Sequence, residues 1–118
     1  MALTREQIKA KRGVMPREPL VVPELGPDPI YISKMSAAAR DRFESIVTGG
    51  RAGSVNLENI RARFLTLVCV DEHGKPLFEE ADAEWLGELD TDVVQQIVDK
   101  GFAMNGISAN AVEEATKN

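Results

Sequence analysis

Cys69 and His73 stand four residues apart in LVCVDEHGK, the one place where a nucleophile lies near an imidazole base. Nucleophilic catalysis needs that pair within hydrogen-bond reach of each other. Here a polar turn separates them. Cys69 sits in the apolar run FLTLVCV, where a small buried hydrophobe is the simpler role, and His73 falls in a turn of solvent-exposed type. Asp71, Glu72 and His73 are adjacent, so their side chains diverge unless a loop is shaped around an ion. The twelve residues from Asp71 to Asp82 offer oxygens, but Pro76, Leu77 and Phe78 stand where a calcium loop needs ligands. Glu79, Glu80, Asp82 and Glu84 read as the acidic first turn of a helix, favourable to its dipole. The glycines of GGRAG, residues 49–53, have neither the Lys-Ser/Thr ending nor the preceding strand of a phosphate loop. These residues predict no catalytic, metal or cofactor site, and a protein that is not an enzyme.

The elements that carry these residues divide the chain into an arm, a hairpin and a set of helices. Thr4-Arg5-Glu6-Gln7 has the form of a capping box and opens a short helix through about Lys11, which Gly13, Pro16 and Pro19 stop. Residues 1–19 are therefore expected as a short helix and flexible arm. Leu20-Val21-Val22 and Ile30-Tyr31-Ile32 are β-prone and flank the turn-forming PELGPDP, which predicts a hairpin over 20–32. Ser36 is a good N-cap for a helix over about 36–48, with Ala39, Phe43, Ile46 and Val47 at helical spacing. Gly49-Gly50 ends it, and 49–55 is expected to be a flexible loop. Leu57, Ile60, Phe64, Leu67 and Val68 share one face of a helix over 57–70, the expected central core helix; a strand over 64–70 is the alternative reading. Further helices are expected over 80–88 and 91–104, the last with Val93, Val94, Ile97, Val98 and Phe102 as its apolar stripe. Ser108 is positioned to cap a final turn across Ala111 and Val112, and 113–118 should fray. The fold class is α+β, mainly α: an N-terminal β-hairpin packed on four or five short helices, one globular domain over 20–112.

With 118 residues there is room for one domain, and 43% hydrophobic residues suffice for its core. Aromatics are few, so Leu, Ile, Val and Ala must fill most of it. Acidic residues number 19 against 14 Lys plus Arg, a formal net charge of -5, which lacks the basic field a duplex-binding protein uses against phosphates. Arg5, Lys9, Lys11, Arg12 and Arg17 gather near the start, a solvated arm rather than a nucleic-acid surface. The lone Cys69 forms no internal disulfide, and no stretch has the length of a signal peptide or a membrane span, so a reducing, intracellular setting is expected. What remains is surface and shape: a proline-interrupted arm, a hairpin with free edges, and Trp85 in a narrow amphipathic helix, either core or anchor for a partner.

The succession of pieces resembles the tail assembly chaperones of long-tailed phages and prophages. It runs from LTREQI through IYISKMSAAARDRFE, a basic amphipathic helix leading into LVCVDEHGKPLF, the acidic EEADAEWLGEL, and a closing helix ending FAMNGIS. The resemblance covers nearly the whole chain, and its most telling stretches are Ser36 to Glu44, Val70 to Phe78 and Asn105 to Ser108. It implies a non-enzymatic role. Such a protein binds the tape measure protein, keeps it soluble, promotes tail tube polymerisation around it, self-associates into rings or spirals, and works in the host cytoplasm without entering the mature virion. Tail tube protein is a further implied partner, and neither nucleic acid nor membrane is. It also implies a longer product made by ribosomal slippage: Thr116-Lys117-Asn118 is what ACA-AAA-AAC, a slippery sequence, would encode. Leu20, Val22, Ile30 and Ile32 are the candidate self-association residues, and Phe43, Trp85 and Phe102 the further protein-binding candidates. The alternatives are a structural tail component of terminator or connector type and a small adaptor or transcription-regulator-like domain.

Overall fold

The computed structural model describes residues 1–48 and 58–108. The loop over 49–55, the helix start at Leu57, the turn at Ala111 and Val112 and the terminus 113–118 lie outside the described residues.

The architecture is α+β and mainly helical, with an antiparallel sheet against two packed helices. Helix α1 (Arg5–Lys9) opens the chain, followed by strands β1 (Arg17–Leu20) and β2 (Ile30–Ser33). Helices α2 (Ala37–Thr48) and α3 (Ile60–Val68) come next, then strand β3 (Cys69–Val70), helix α4 (Ala83–Leu86) and helix α5 (Thr91–Met104). Single 3-10 turns lie at Pro23–Leu25 and Glu80–Asp82.

The hairpin forms, but four residues long on each side and shifted from the expected place. Pairing runs from Arg17 opposite Ser33 to Leu20 opposite Ile30. Residues 17–19 thus belong to the sheet rather than the arm. Val22 stands before the 3-10 turn instead of in a strand. Pro23 suits the first position of that turn, its fixed φ being already helical, so the chain leaves the strand earlier than its β-branched residues suggest. The Lys34 N–H donates to the Pro16 carbonyl at 3.0 Å. That bond sets the alternation, so that Glu18 and Leu20 face β2 while the backbone of Pro19 faces outward. A proline fits such a position because no donor is needed there.

The expected helix over 57–70 ends at Val68, and Cys69 turns extended (φ -83°, ψ 125°). Cys69 and Val70 then pair with Ile32 and Tyr31 as the third strand. FLTLVCV is apolar but for Thr66, and such a run carries no period by which to place the change. Beyond β3 the chain folds back: Val70 bridges to Pro76, and the Leu77 N–H donates to the Cys69 carbonyl at 3.0 Å. The helix expected over 80–88 is the 3-10 turn followed by α4, closed by Gly87. The last helix occupies Thr91–Met104, the span expected from its stripe.

The core lies where α3, α5 and the sheet meet. Ile32, Phe64, Leu65, Val68, Leu86 and Ile97 are almost wholly buried. Phe43 of α2, Phe64 of α3 and Phe102 of α5 form an edge-to-face trio with ring centroids 4.9 to 6.0 Å apart, a geometry worth about 0.5–1.5 kcal/mol per pair beyond the area buried. Gly101 makes that trio possible. A Cβ there would stand 2.6 Å from Cε2 of Phe64, so α5 approaches α3 only without one.

The end of α5 ties the layers together. Gly106 (φ 64°) takes the left-handed position after the helix, and the Ile107 N–H donates to the Phe102 carbonyl at 2.9 Å, completing a Schellman cap. Asn105 accepts from the Met35 N–H through Oδ1 and donates through Nδ2 to the Gly101 carbonyl, both at 2.8 Å. Its own carbonyl accepts from Arg40 Nη1 at 2.8 Å. The link between β2 and α2 is thereby clamped to the end of α5. Ser36 caps α2 as expected, its Oγ accepting from the Ala39 N–H at 3.2 Å.

Candidate protein-binding surfaces

The residues that could do chemistry are occupied structurally. Cys69 is buried, and burial pushes its thiol up to about 12, so it stays a protonated core group at neutral pH. His73 sits in the turn after β3. Asp71 Oδ1 accepts from the backbone N–H groups of Lys75 (3.0 Å) and His73 (2.8 Å), bonds that hold the Asp71 carboxyl below its ordinary 3.8. Arg17 closes over the turn, donating from Nε and Nη2 to the Glu72 carbonyl at 3.2 and 2.9 Å. This arrangement fixes a hairpin turn with Gly74 at φ 86°. Among the described residues no three His, Cys, Asp or Glu side chains gather as a metal site would require. No helix among them is long and apolar enough to cross a membrane.

The seven candidate binding residues part into three groups. Val22, Ile32, Phe43 and Phe102 are buried and hold the core together, so in this conformation they present no surface. Leu20 and Ile30 pair across the hairpin and pack, half-buried, against the core. Trp85 alone stands out, 46% exposed. Its ring lies edge-on to Phe78 with centroids 5.7 Å apart, and its Nε1–H donates to Asp82 Oδ1 at 2.8 Å. That indole bond, with one from the Glu79 N–H, holds the Asp82 carboxyl below 3.8. The polar tip of Trp85 is therefore satisfied locally and its apolar face remains for a partner.

Two further surfaces stand open, one that the sequence does not reveal and one on the N-terminal arm that it does. A groove of about 380 Å³ runs between α2, α3 and the segment 76–80, with Ile46, Leu67, Pro76 and Phe78 as its apolar lining and Arg42 and Glu80 among its polar residues. Ile46 and Leu67 are core-facing by helical period, yet each is only half-buried. The second surface is α1. Thr4 and Gln7 form the expected capping box, Thr4 Oγ1 accepting from the Gln7 N–H at 3.3 Å and Gln7 Oε1 from the Thr4 N–H at 2.9 Å. Yet α1 buries none of its residues. Leu3 and Ile8 are 74% and 62% exposed.

No known protein family matches the sequence, and no curated protein does. Among solved structures, the tail assembly chaperone of bacteriophage HK97 superposes with a TM-score of 0.63 at 16% sequence identity. The match covers 88% of this chain and 94% of the other. An identity that low leaves the agreement to the path of the backbone, and that path is shared almost from end to end. The chain has the fold of a phage tail assembly chaperone.

Proposed function

We propose that the protein is a tail assembly chaperone: it binds the tape measure protein, keeps it soluble, and promotes polymerisation of tail tube around it. The fold shared with the HK97 protein along nearly both chains carries this reading. It is supported by the character of the surface, where apolar side chains gather in a groove and on α1 while Cys69 and Asp71 serve as core and turn. A protein that sets tail length through long helices with apolar stripes needs those stripes covered until tube subunits replace the cover. The groove lined by Ile46, Leu67 and Phe78 offers the helix-in-groove mode of recognition, and we assign the tape measure helix to it. The site of action is the host cytoplasm, and the finished virion lacks the chain.

Deleting its gene from the phage or prophage that carries it, followed by electron microscopy of the lysate, tests the role. The expected lysate holds heads without tails, and supplying the chain in trans restores tails of normal length. Normal tails in the deletion would overturn the proposal. Recovery of the chain from purified virions would favour the structural tail component instead.

A further inference from the structure

The first 16 residues carry four basic side chains and one acid, a balance of +3, in a chain whose net charge is -5, which leaves -8 for the rest. Within that arm, α1 is started with unusual care. Its capping box is complete, and Leu3 and Ile8 occupy the positions before the cap and at the fourth helical residue where a hydrophobic staple forms. Helical winding continues beyond it, with Lys11, Arg12 and Val14 N–H groups donating three residues back at 3.0 to 3.1 Å. A segment this short is marginal in water, and most helical stability in proteins comes from packing an apolar face. Here no apolar face is packed: Leu3, Ile8 and Val14 are all exposed. Arg5, Lys9 and Arg12 recur at steps of four and three, and Lys9 and Arg12 make no ion pair among the described residues.

The matching surface lies on the same molecule. From Glu79 to Asp92 the chain has seven acids and no Lys or Arg. Glu80, Glu84 and Glu88 follow one another at steps of four and are all exposed, as is Trp85 among them, while Ala83 and Leu86 face the core. None of those three acids forms an ion pair among the described residues. Glu80 lies in the 3-10 turn, Glu84 in α4 and Glu88 in the turn after it, so three exposed acids follow closely along the chain with no cation among them, and like charges left so close favour a cationic partner.

We propose that the N-terminal arm of one copy docks on the α4 surface around Trp85 of a second copy. Arg5, Lys9 and Arg12 meet the acidic surface of Glu80, Glu84 and Glu88, and Leu3 and Ile8 cover the free face of Trp85. The contact is between two different surfaces, so each bound copy leaves its own α4 open and its neighbour's arm free. A contact between unlike surfaces does not close as a symmetric pair. The inference uses the charge pattern and the exposure of this chain alone and stands whether or not the partner is a tape measure protein.

Sedimentation velocity on the full chain over a range of concentrations, at low and at high salt, is the test, with Lys9→Glu/Arg12→Glu, with Glu84→Lys/Glu88→Lys, and with all four changes together. The wild type should associate with increasing concentration, and high salt should dissociate it. Each reversed pair should weaken association about tenfold or more, since each removes two exposed ion pairs and installs two repulsions. The fourfold variant should recover it, because the charges match again with their signs exchanged. All four positions are exposed, and circular dichroism confirms that each variant folds. Association that is absent in the wild type, unchanged by either reversal, or unrestored by combining them would overturn the proposal.

Discussion

At Gly101 an absent side chain decides the packing. Alanine there improves helix propensity by about 1 kcal/mol but places a Cβ 2.6 Å from Phe64, a ring held edge-on to Phe43 and Phe102. Overpacking a core of this kind costs about 1–3 kcal/mol, and the rings have no free side to move toward. Gly101→Ala should therefore lower the urea midpoint; a raised midpoint would mean that α3 and α5 stand further apart. Cys69 illustrates a second residue-scale consequence. Its thiol is held near 12 against an ordinary 9.0, so the folded state keeps a proton that the unfolded state gives up. The sign follows: the contribution to stability is complete below about pH 9 and is lost as pH rises from there toward 12. At pH 8 a thiol reagent should label native protein slowly and urea-unfolded protein fast. Equal rates in the two states would place Cys69 at the surface.

The elements differ in how openly the sequence announces them. Ser36 and the stripes of α2 and α5 carry both cap and period, and those helices stand where period and cap put them. The change from α3 to β3 leaves no mark, because FLTLVCV is equally apolar as helix and strand, and only the unpaired edge of β2 decides it. The hairpin is legible as a pairing but not in its register, since Val22 looks like a strand residue and is instead a core side chain at the start of a 3-10 turn. Asn105-Gly106 reads as a helix stop. Its clamp on Met35 and Arg40 spans 70 and 65 residues, and no local pattern reveals so distant a contact. Asn105→Ala should loosen that clamp and cost about 1–3 kcal/mol, the range for stranding a partner of a removed hydrogen bond. Amide exchange should show the effect concentrated at Met35 and the first turn of α2; uniform loss of protection would show that the clamp acts only through global stability.

For the whole molecule, the candidate binding residues were the least legible part. Exposure depends on which apolar side chains the tertiary packing leaves over, and apolar type at helical or strand spacing is shared by core and interface alike. Phe43 and Phe102 went to the core, Trp85 stayed half out, and Leu3 and Ile8, which look like the edge of a fraying helix, are left well exposed. The fold joins a short sheet, a three-ring core and a clamped last helix into a body that bears a groove and a basic arm, and it matches that of the HK97 tail assembly chaperone. The groove gives the assembly role a residue-level handle. Ile46→Glu places a charge on the apolar lining of the groove and should reduce partner binding about tenfold or more, the discrimination expected for an unpaired charge in a contact. Binding affinity read by titration of the purified partners checks it, with the melting temperature of the variant alone as control; unchanged affinity would move the tape measure helix off this groove.

The central claim is most directly tested by co-expressing the chain with the tape measure protein of the phage or prophage that carries it and weighing what stays soluble by sizing chromatography with light scattering. The expected result is a tape measure protein that is insoluble alone and soluble in a complex with several copies of this chain. A partner whose solubility does not change, with no complex on the column, would contradict it.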